Sequence, residues 1–585
     1  MRLRSVEAPA GTSAQSAQPG SEPRQAAAGE TPASGVSRPD ATGLPDRVGE
    51  VLDILRAPRW VRRIVGGDSL QMVAVGAVSL WITYVYVLAT FAVASGKNLW
   101  MDEALAVSTA RLPSYGEIAS AIWKGAEFSP PAYHFFLHAL MNWLPGVDPL
   151  LLPRLPSIVA VFVAAACVYA LVRGATDRLV AVTAFALTLD SGLFAYAVQA
   201  RQYALIAAGL AGALVLWSAM DDRRRATLRA ALLWALLAIC VSLHFYGFVA
   251  PATIGFAEIV WMVTRRELRP RVWIALLAVT PVVAAWLPLG LHLKTFVAQD
   301  ALGSAYNGAP SSSLLMEAIF QSLVSDESGA LLMLAALAIC GCAYLISRGA
   351  RHFGLREGDG ASAPQRTISK LEIAVLAVFL LPFVAYLFSL SLSSTFAIRY
   401  AAAASLFPAL FFGAAVRNVP YRGAVACLLL PLAALSLQGR GEDYPRGMAA
   451  PARAALVEAK DPDLPIVIGE GSTFVELTEA ADPAVRRRLY FLVAPPGVAI
   501  GDPTFQNQVK RLADIHPNLQ VREEQSFLSA TPCFYVLFRP EDETGTILSS
   551  LIRQKLLGRL LKAEGGLWLA QAGRGCRPSG ALDAG

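Results

Sequence analysis

The chain has 585 residues, 55% hydrophobic and 16% charged, with a formal net charge of +6 and a mean hydropathy of +0.48. Soluble domains carry about 25% charged residues, so this balance excludes an ordinary soluble enzyme and points to a chain embedded in a bilayer. The arginines lie in short loops and form no single basic face, which argues against nucleic acid as a partner.

Residues 1–50 contain no Phe, Trp or Tyr and are rich in Ala, Ser, Pro and Gly. Such a stretch cannot bury enough apolar surface to offset its ordering entropy, and it lacks the apolar core of a secretory signal. Residues 1–55 are therefore expected to form a disordered cytoplasmic tail.

About eleven apolar stretches follow, each near the length a tilted helix needs to cross about 30 Å of hydrocarbon. Their limits are 71–94, 151–173, 178–197, 201–219, 228–246, 248–264, 272–292, 329–347, 371–392, 399–416 and 421–437. The sixth is short, and the region 178–264 admits other partitions. Cations mark alternate connections. Arg56, Arg59, Arg62 and Arg63 precede the first span, and Arg173 and Arg178 follow the second. Arg223, Arg224, Arg225 and Arg229 follow the fourth, and Arg265, Arg266, Arg269 and Arg271 the sixth. Arg348, Arg351, Arg356, Arg366 and Lys370 follow the eighth, and Arg417 and Arg422 the tenth. The positive-inside rule makes all of these connections cytoplasmic if the N-terminus is inside.

Three longer segments then lie outside: 95–150, 293–328 and the region from 438. In the last, Leu464–Ile468, Arg488–Val493 and Cys533–Phe538 read as strands, and 472–480 and 504–514 as helices. This predicts a small α/β domain over 438–545. The final segment, 546–585, is expected to be a basic tail; Arg553, Lys555, Arg559 and Lys562 among leucines fit an amphipathic helix on the membrane surface or a plain solvated helix. None of the seven cysteines shows metal-ligand spacing. Only Cys533 and Cys576 fall outside apolar segments; they can pair in an oxidising compartment, and their spacing alone does not decide it.

The first outer segment carries the candidate chemistry. It contains Trp100-Met-Asp102-Glu103-Ala, then Glu127-Phe-Ser-Pro-Pro-Ala-Tyr133-His134, and His138. Neighbours on a helix point about 100° apart, so Asp102 and Glu103 are not expected to share one job. A solvated helix start, with both acids in a favourable first turn, explains them equally. Arg201 and Arg399 sit at the same expected face, where a cation calls for a partner, although interfacial snorkelling is the plainer account. His244 lies on that side too, as a packing histidine or a site residue, and Arg154 reads as structural. Carboxylates can take a proton from an acceptor hydroxyl, and guanidinium groups can hold a phosphate leaving group.

The order Trp-Met-Asp-Glu-Ala, Ser-Pro-Pro-Ala-Tyr, Leu152-Pro-Arg-Leu-Pro-Ser157, Ala200-Arg-Gln-Tyr-Ala-Leu205, His244 and Arg399-Tyr400 with Pro408 resembles the GT-C membrane glycosyltransferases. Within these it is most similar to the protein O-mannosyltransferase and aminoarabinose-transferase branch (glycosyltransferase family 39-like), which includes bacterial lipopolysaccharide galacturonosyltransferases. The likeness covers about residues 70–420. It implies a polytopic α-helical membrane fold over 56–437, and an inverting transferase that takes sugar from a polyprenyl-phosphate carrier to an extracytoplasmic lipid, glycan or protein. It implies a bacterial inner-membrane location with the site outside.

By the same resemblance, Asp102 matches the catalytic acid, a general-base candidate, and Glu103 its neighbour at the acceptor or a metal. Arg201 and Arg399 match positions near the carrier phosphate, supported by Tyr203 and Tyr400, while His244, Tyr133 and His134 assist. A divalent cation is left open: Gln199 stands where many members have an acid, which removes one anionic ligand. From another class, a flippase of a lipid-linked saccharide is the alternative; Asp190 and Glu258, inside or near spans, are the residues that would suit it.

Overall fold

The structure is a computed structural model that describes residues 68–576, except 302–308, 324–367 (a few isolated positions aside), 441–448, 494–502, 540–545 and several single positions. The expected tail 1–55 lies outside the described residues, and the expected span 329–347 almost wholly so.

Among the described residues, eight helices are long and apolar enough to cross a membrane: Met72–Gly96, Leu152–Arg173, Ala226–Leu243, Phe245–Arg265, Pro270–Gln299, Lys370–Ser391, Ile398–Val416 and Arg422–Gly439. Two shorter apolar helices, Arg178–Leu189 and Tyr203–Ser218, occupy the third and fourth expected stretches. The third stops early at Asp190-Ser-Gly192, a sequence of helix breakers. There Asp190 is fixed by Arg440 Nε at 2.8 Å and Ser436 at 3.0 Å. The spans pack through small side chains, chiefly alanine, so that backbones approach closely. Gly247 shows the limit: a Cβ there would collide with the Cys240 carbonyl, so only glycine lets the chain turn back over the preceding helix.

The connections rich in arginine gather at one end of the bundle. Lys370 pairs with Asp221 at 2.5 Å, Arg269 with Asp221 at 3.2 Å, and Arg422 with Asp177 at 2.6 Å. Arg269 also closes on the fully buried Glu258, whose carboxylate accepts the Trp217 indole N–H at 2.9 Å. Both candidate intramembrane acids, Asp190 and Glu258, are thus held in ion pairs with arginines.

At the other end, segment 95–150 is folded, not a loose loop. It contains the helices Met101–Ala110, Tyr115–Trp123 and Ala132–Trp143. Above them sits a six-stranded sheet of β1 (Ile466–Ile468), β2 (Leu489–Val493), β3 (Val521–Glu523), β4 (Phe534–Phe538), β5 (Leu557–Glu564) and β6 (Leu567–Ala572), in the order β3-β2-β1-β4-β6-β5. The first four strands are parallel; β6 adds antiparallel to β4, and β5 to β6. The three expected strands and the two expected helices, found as Gly471–Ala480 and Pro503–Ala513, are all present.

The helical expectation for the basic terminal stretch fails. Helix Thr546–Arg553 ends at Arg553, and Arg559 and Lys562 lie in β5 of a hairpin. Glu564 pairs with Leu567, and Gly566 between them has φ +79°, a conformation glycine adopts without steric cost. Cys533 and Cys576 form a disulfide that ties the end of this hairpin to the start of β4. One face of the sheet shares a single apolar core with the first-segment helices, including Leu105, Ile118, Tyr133, Phe474 and Phe491. Domain 438–545 is therefore extended by 546–576 and anchored on segment 95–150.

Candidate active site

The site is built on helix Met101–Ala110, which begins a few residues after the first span. Glu103, at its third position, accepts the Trp100 N–H at 3.1 Å and so closes the helix start. Both acids do lie in a first turn, but neither is solvated: Asp102 is 8% exposed and Glu103 fully buried. The solvated reading therefore does not hold.

Glu103 is saturated by the protein. Arg154 grips it in bidentate fashion, Nε to Oε1 at 2.9 Å and Nη2 to Oε2 at 3.0 Å. The Ala200 N–H adds a third bond at 2.6 Å. Burial would raise the Glu103 carboxyl, but the charges of Arg154 and Lys97 and these bonds hold it below the usual carboxylate range. Arg154 in turn bonds the carbonyls of Ala94 at 2.7 Å and Lys97 at 2.6 Å. This pair staples the end of the first span, the loop helix and the chain before Arg201. In this geometry both Glu103 oxygens are engaged by protein donors, Oε1 by Arg154 and Ala200 and Oε2 by Arg154 and Trp100.

Asp102 is differently placed. Its Oδ2 stands 3.1 Å from Arg399 Nη2, and its carbonyl accepts Arg201 Nη1 at 3.0 Å. Arg399 is delivered by an unusual backbone. A π turn at Ser389–Ser393 ends the preceding helix, and a 3-10 segment, Ile398–Leu406, opens the next. Its guanidinium lies 5.7 Å from the Trp100 ring and 5.8 Å from that of Tyr400, within cation–π range. At 32% exposure, the Arg399 side chain is the accessible cation of the pair. Arg201 is buried, and its Nη1 also donates to Glu127 Oε1 at 2.8 Å.

Glu127, quoted above only as part of a motif, is a central residue. Burial would raise its carboxyl, but Arg201 and His134 hold it at about 2. His134 lies 3.8 Å away, and neither of its ring nitrogens has a hydrogen bond. Trp100 Nε1, the Tyr133 hydroxyl and both amide atoms of Gln202 are likewise buried without a protein partner. Native proteins leave few such groups unpaired, so this concentration around one loop is what a polar ligand or ordered water would satisfy. The sequence signal available for Glu127 is a carboxylate three residues ahead of Pro130-Pro131 in the same outer segment.

Tyr203, His244 and Tyr400 converge as well, their rings 5.3 to 6.5 Å apart. Tyr246, which the sequence reading does not single out, stacks on Tyr400 at 4.1 Å, donates its hydroxyl proton to the Thr395 carbonyl and lies 2.7 Å from Ser393 Oγ. His244 Nδ1 accepts the Tyr246 N–H at 3.0 Å. This aromatic wall borders a cavity of about 490 Å³ that is otherwise lined mostly by apolar side chains such as Phe248, Trp286, Leu287 and Leu291, with Lys294, Ser393 and Thr395 among them. Among the described residues, no three His, Cys, Asp or Glu side chains gather as a metal ligand set, and His138 is engaged with the Ala110 carbonyl and Asn142.

No family model and no curated protein matches the sequence. In fold, the chain is similar to ArnT from Cupriavidus metallidurans bound to undecaprenyl phosphate, with a TM-score of 0.54 and 13% identity over 85% of this chain and 98% of that one. An oligosaccharyltransferase AglB from Archaeoglobus fulgidus, in complex with an inhibitory peptide and a dolichol-phosphate, has a TM-score of 0.43 and 11% identity over 83% of this chain and 74% of that one. The chain shares the fold of that first structure: a polytopic helical bundle with a small C-terminal α/β domain.

Proposed function

We propose that the protein is an integral membrane glycosyltransferase that moves a sugar from a polyprenyl-phosphate donor to a hydroxyl of an extracytoplasmic lipid, glycan or protein, with inversion. The observation that carries this reading is the Asp102 carboxylate set 3.1 Å from Arg399 beside an apolar cavity walled by Tyr400 and His244. The cavity suits an isoprenoid chain, and a protein of the same fold binds undecaprenyl phosphate.

In this reading the acceptor oxygen attacks the anomeric carbon while Asp102 takes its proton. The bond from that carbon to the phosphate oxygen breaks, and the electron pair leaves with the phosphate. Arg399, the more accessible guanidinium, stabilises the charge that develops there. Arg201 fixes the backbone of Asp102 and presents the Glu127 carboxylate; Tyr203, Tyr400 and His244 shape the phosphate end of the groove. The active site and the disulfide-bonded domain then face outward from a bacterial inner membrane, which suits a compartment where disulfides persist.

The test is transfer from undecaprenyl-phosphate-linked sugar by reconstituted protein. Asp102→Asn, folded and inserted, is expected to lose about 10²–10⁴ of the rate; full activity in this variant would end the base assignment.

A further inference from the structure

The end of the bundle opposite Asp102 holds a second cavity, of about 480 Å³, among the ends of several apolar helices. Its charged lining is Arg265, Lys370 and Arg417 against a single acid, Asp221. Its floor is Trp261, only 5% exposed, whose indole N–H is buried without a partner. Lys370 and Arg265 lie 5.4 and 5.1 Å over that ring.

The three cations are not equally occupied. Lys370 is paired with Asp221. Arg265 makes one long bond, 3.4 Å, to the Ile368 carbonyl, and the Arg417 side chain has no hydrogen bond or ion pair among the described residues. Ordinary loop arginines point into solvent one by one. Here two uncompensated guanidinium groups converge on a concave site with an unpaired donor at its floor, and small residues, Gly174 and Ala175, leave it open. The size suits a small-molecule headgroup, and a basic cavity between span ends is the arrangement that takes a lipid phosphate.

We propose that this cavity is a binding site for the phosphate of an anionic membrane phospholipid, separate from the donor groove. The occupant is a lipid because most lining residues come from the ends of membrane-length helices, where the headgroups of a surrounding bilayer would lie. The proposal does not depend on the transfer reading.

The experiment is native mass spectrometry of the purified full chain, released from detergent with added phosphatidylglycerol or phosphatidylcholine. Wild type is expected to retain phosphatidylglycerol preferentially, and the double variant Arg265→Gln/Arg417→Gln to lower that retention about tenfold or more. Neither arginine carries an ion pair, so folding is not expected to suffer; Ala175→Trp fills the cavity with the charges intact and is expected to abolish retention as well. Equal retention of the two lipids by wild type, or undiminished phosphatidylglycerol in either variant, overturns the site. Inorganic phosphate is the third arm: if it stabilises the protein as well as phosphatidylglycerol does, and displaces it, the ligand is a free phosphate and the lipid assignment falls.

Discussion

Arg399 holds its Nη2 3.1 Å from Asp102 Oδ2, while the carbonyl of the same aspartate is bonded by Arg201 at 3.0 Å. The two guanidinium groups thus divide the work: Arg201 is buried and fixes the chain, whereas Arg399 meets the carboxylate from the accessible side. Arg399→Gln is expected to lower kcat by about 10²–10³, the cost of removing one preorganised donor to a developing anion. Folded yield should change little, because the side chain is a third exposed. Arg399→Lys keeps the charge but loses the planar fork and should recover only part of the rate. A loss confined to KM would show that Arg399 binds ground state and transition state alike, against the leaving-group role.

Glu103 calls for the opposite outcome. Its carboxylate is fully buried and bonded by Arg154, Ala200 and Trp100. Glu103→Ala leaves the Arg154 charge buried and uncompensated, a loss of about 3–5 kcal/mol, read as lower folded yield and a lower unfolding temperature in detergent. Replacing both partners, as Glu103→Leu/Arg154→Met, should restore much of that stability. A Glu103→Ala protein with wild-type stability and no activity would return the residue to the chemistry.

These two residues also show how far the sequence is legible. Span positions follow from apolar length, and ten of the expected stretches meet helices because hydrocarbon thickness dictates that length. Asp102 and Arg399 are visible as charges beside apolar runs. That Asp102 meets Arg399 while Glu103 is locked into the core is not visible, since the second contact depends on Arg154, fifty-one residues further on. Glu127 and Tyr246 escaped for the same reason: their partners, Arg201 and Tyr400, are distant in sequence. The terminal hairpin is not legible because Arg and Lys among leucines suit either period, although the Gly565-Gly566 dipeptide is a turn signal. Strand β3 is only three residues long, too short for a pattern.

The disulfide gives a further prediction. Cys533 and Cys576 close a loop with a sequence separation of 43 and hold the β5–β6 hairpin to β4. Cys533→Ser/Cys576→Ser is expected to cost about 2–4 kcal/mol, measured as a fall in unfolding temperature, with a matching fall on reduction of wild type. Labelling of both thiols in the unreduced native protein would contradict the pairing.

The seam between the C-terminal domain and the first segment should respond to pH. Glu476, on helix Gly471–Ala480, is 7% exposed and close to Glu470, Glu103, Arg154 and Lys97. Burial first, then the two neighbouring carboxylates, push its carboxyl up to about 8 from an ordinary 4.5, against the pull of Arg154 and Lys97. The folded state therefore binds a proton that the unfolded chain releases above about pH 4.5. Its stabilising contribution is complete below that value and is lost as pH rises through about 8. Glu476→Gln keeps a neutral hydrogen-bonding group at every pH. Relative to wild type it should be indifferent at pH 5 and more stable at pH 9, by an amount on the order of a few kcal/mol. Thermal unfolding of both proteins across this range is the measurement; parallel curves would show that Glu476 titrates normally and that the seam carries no such charge conflict.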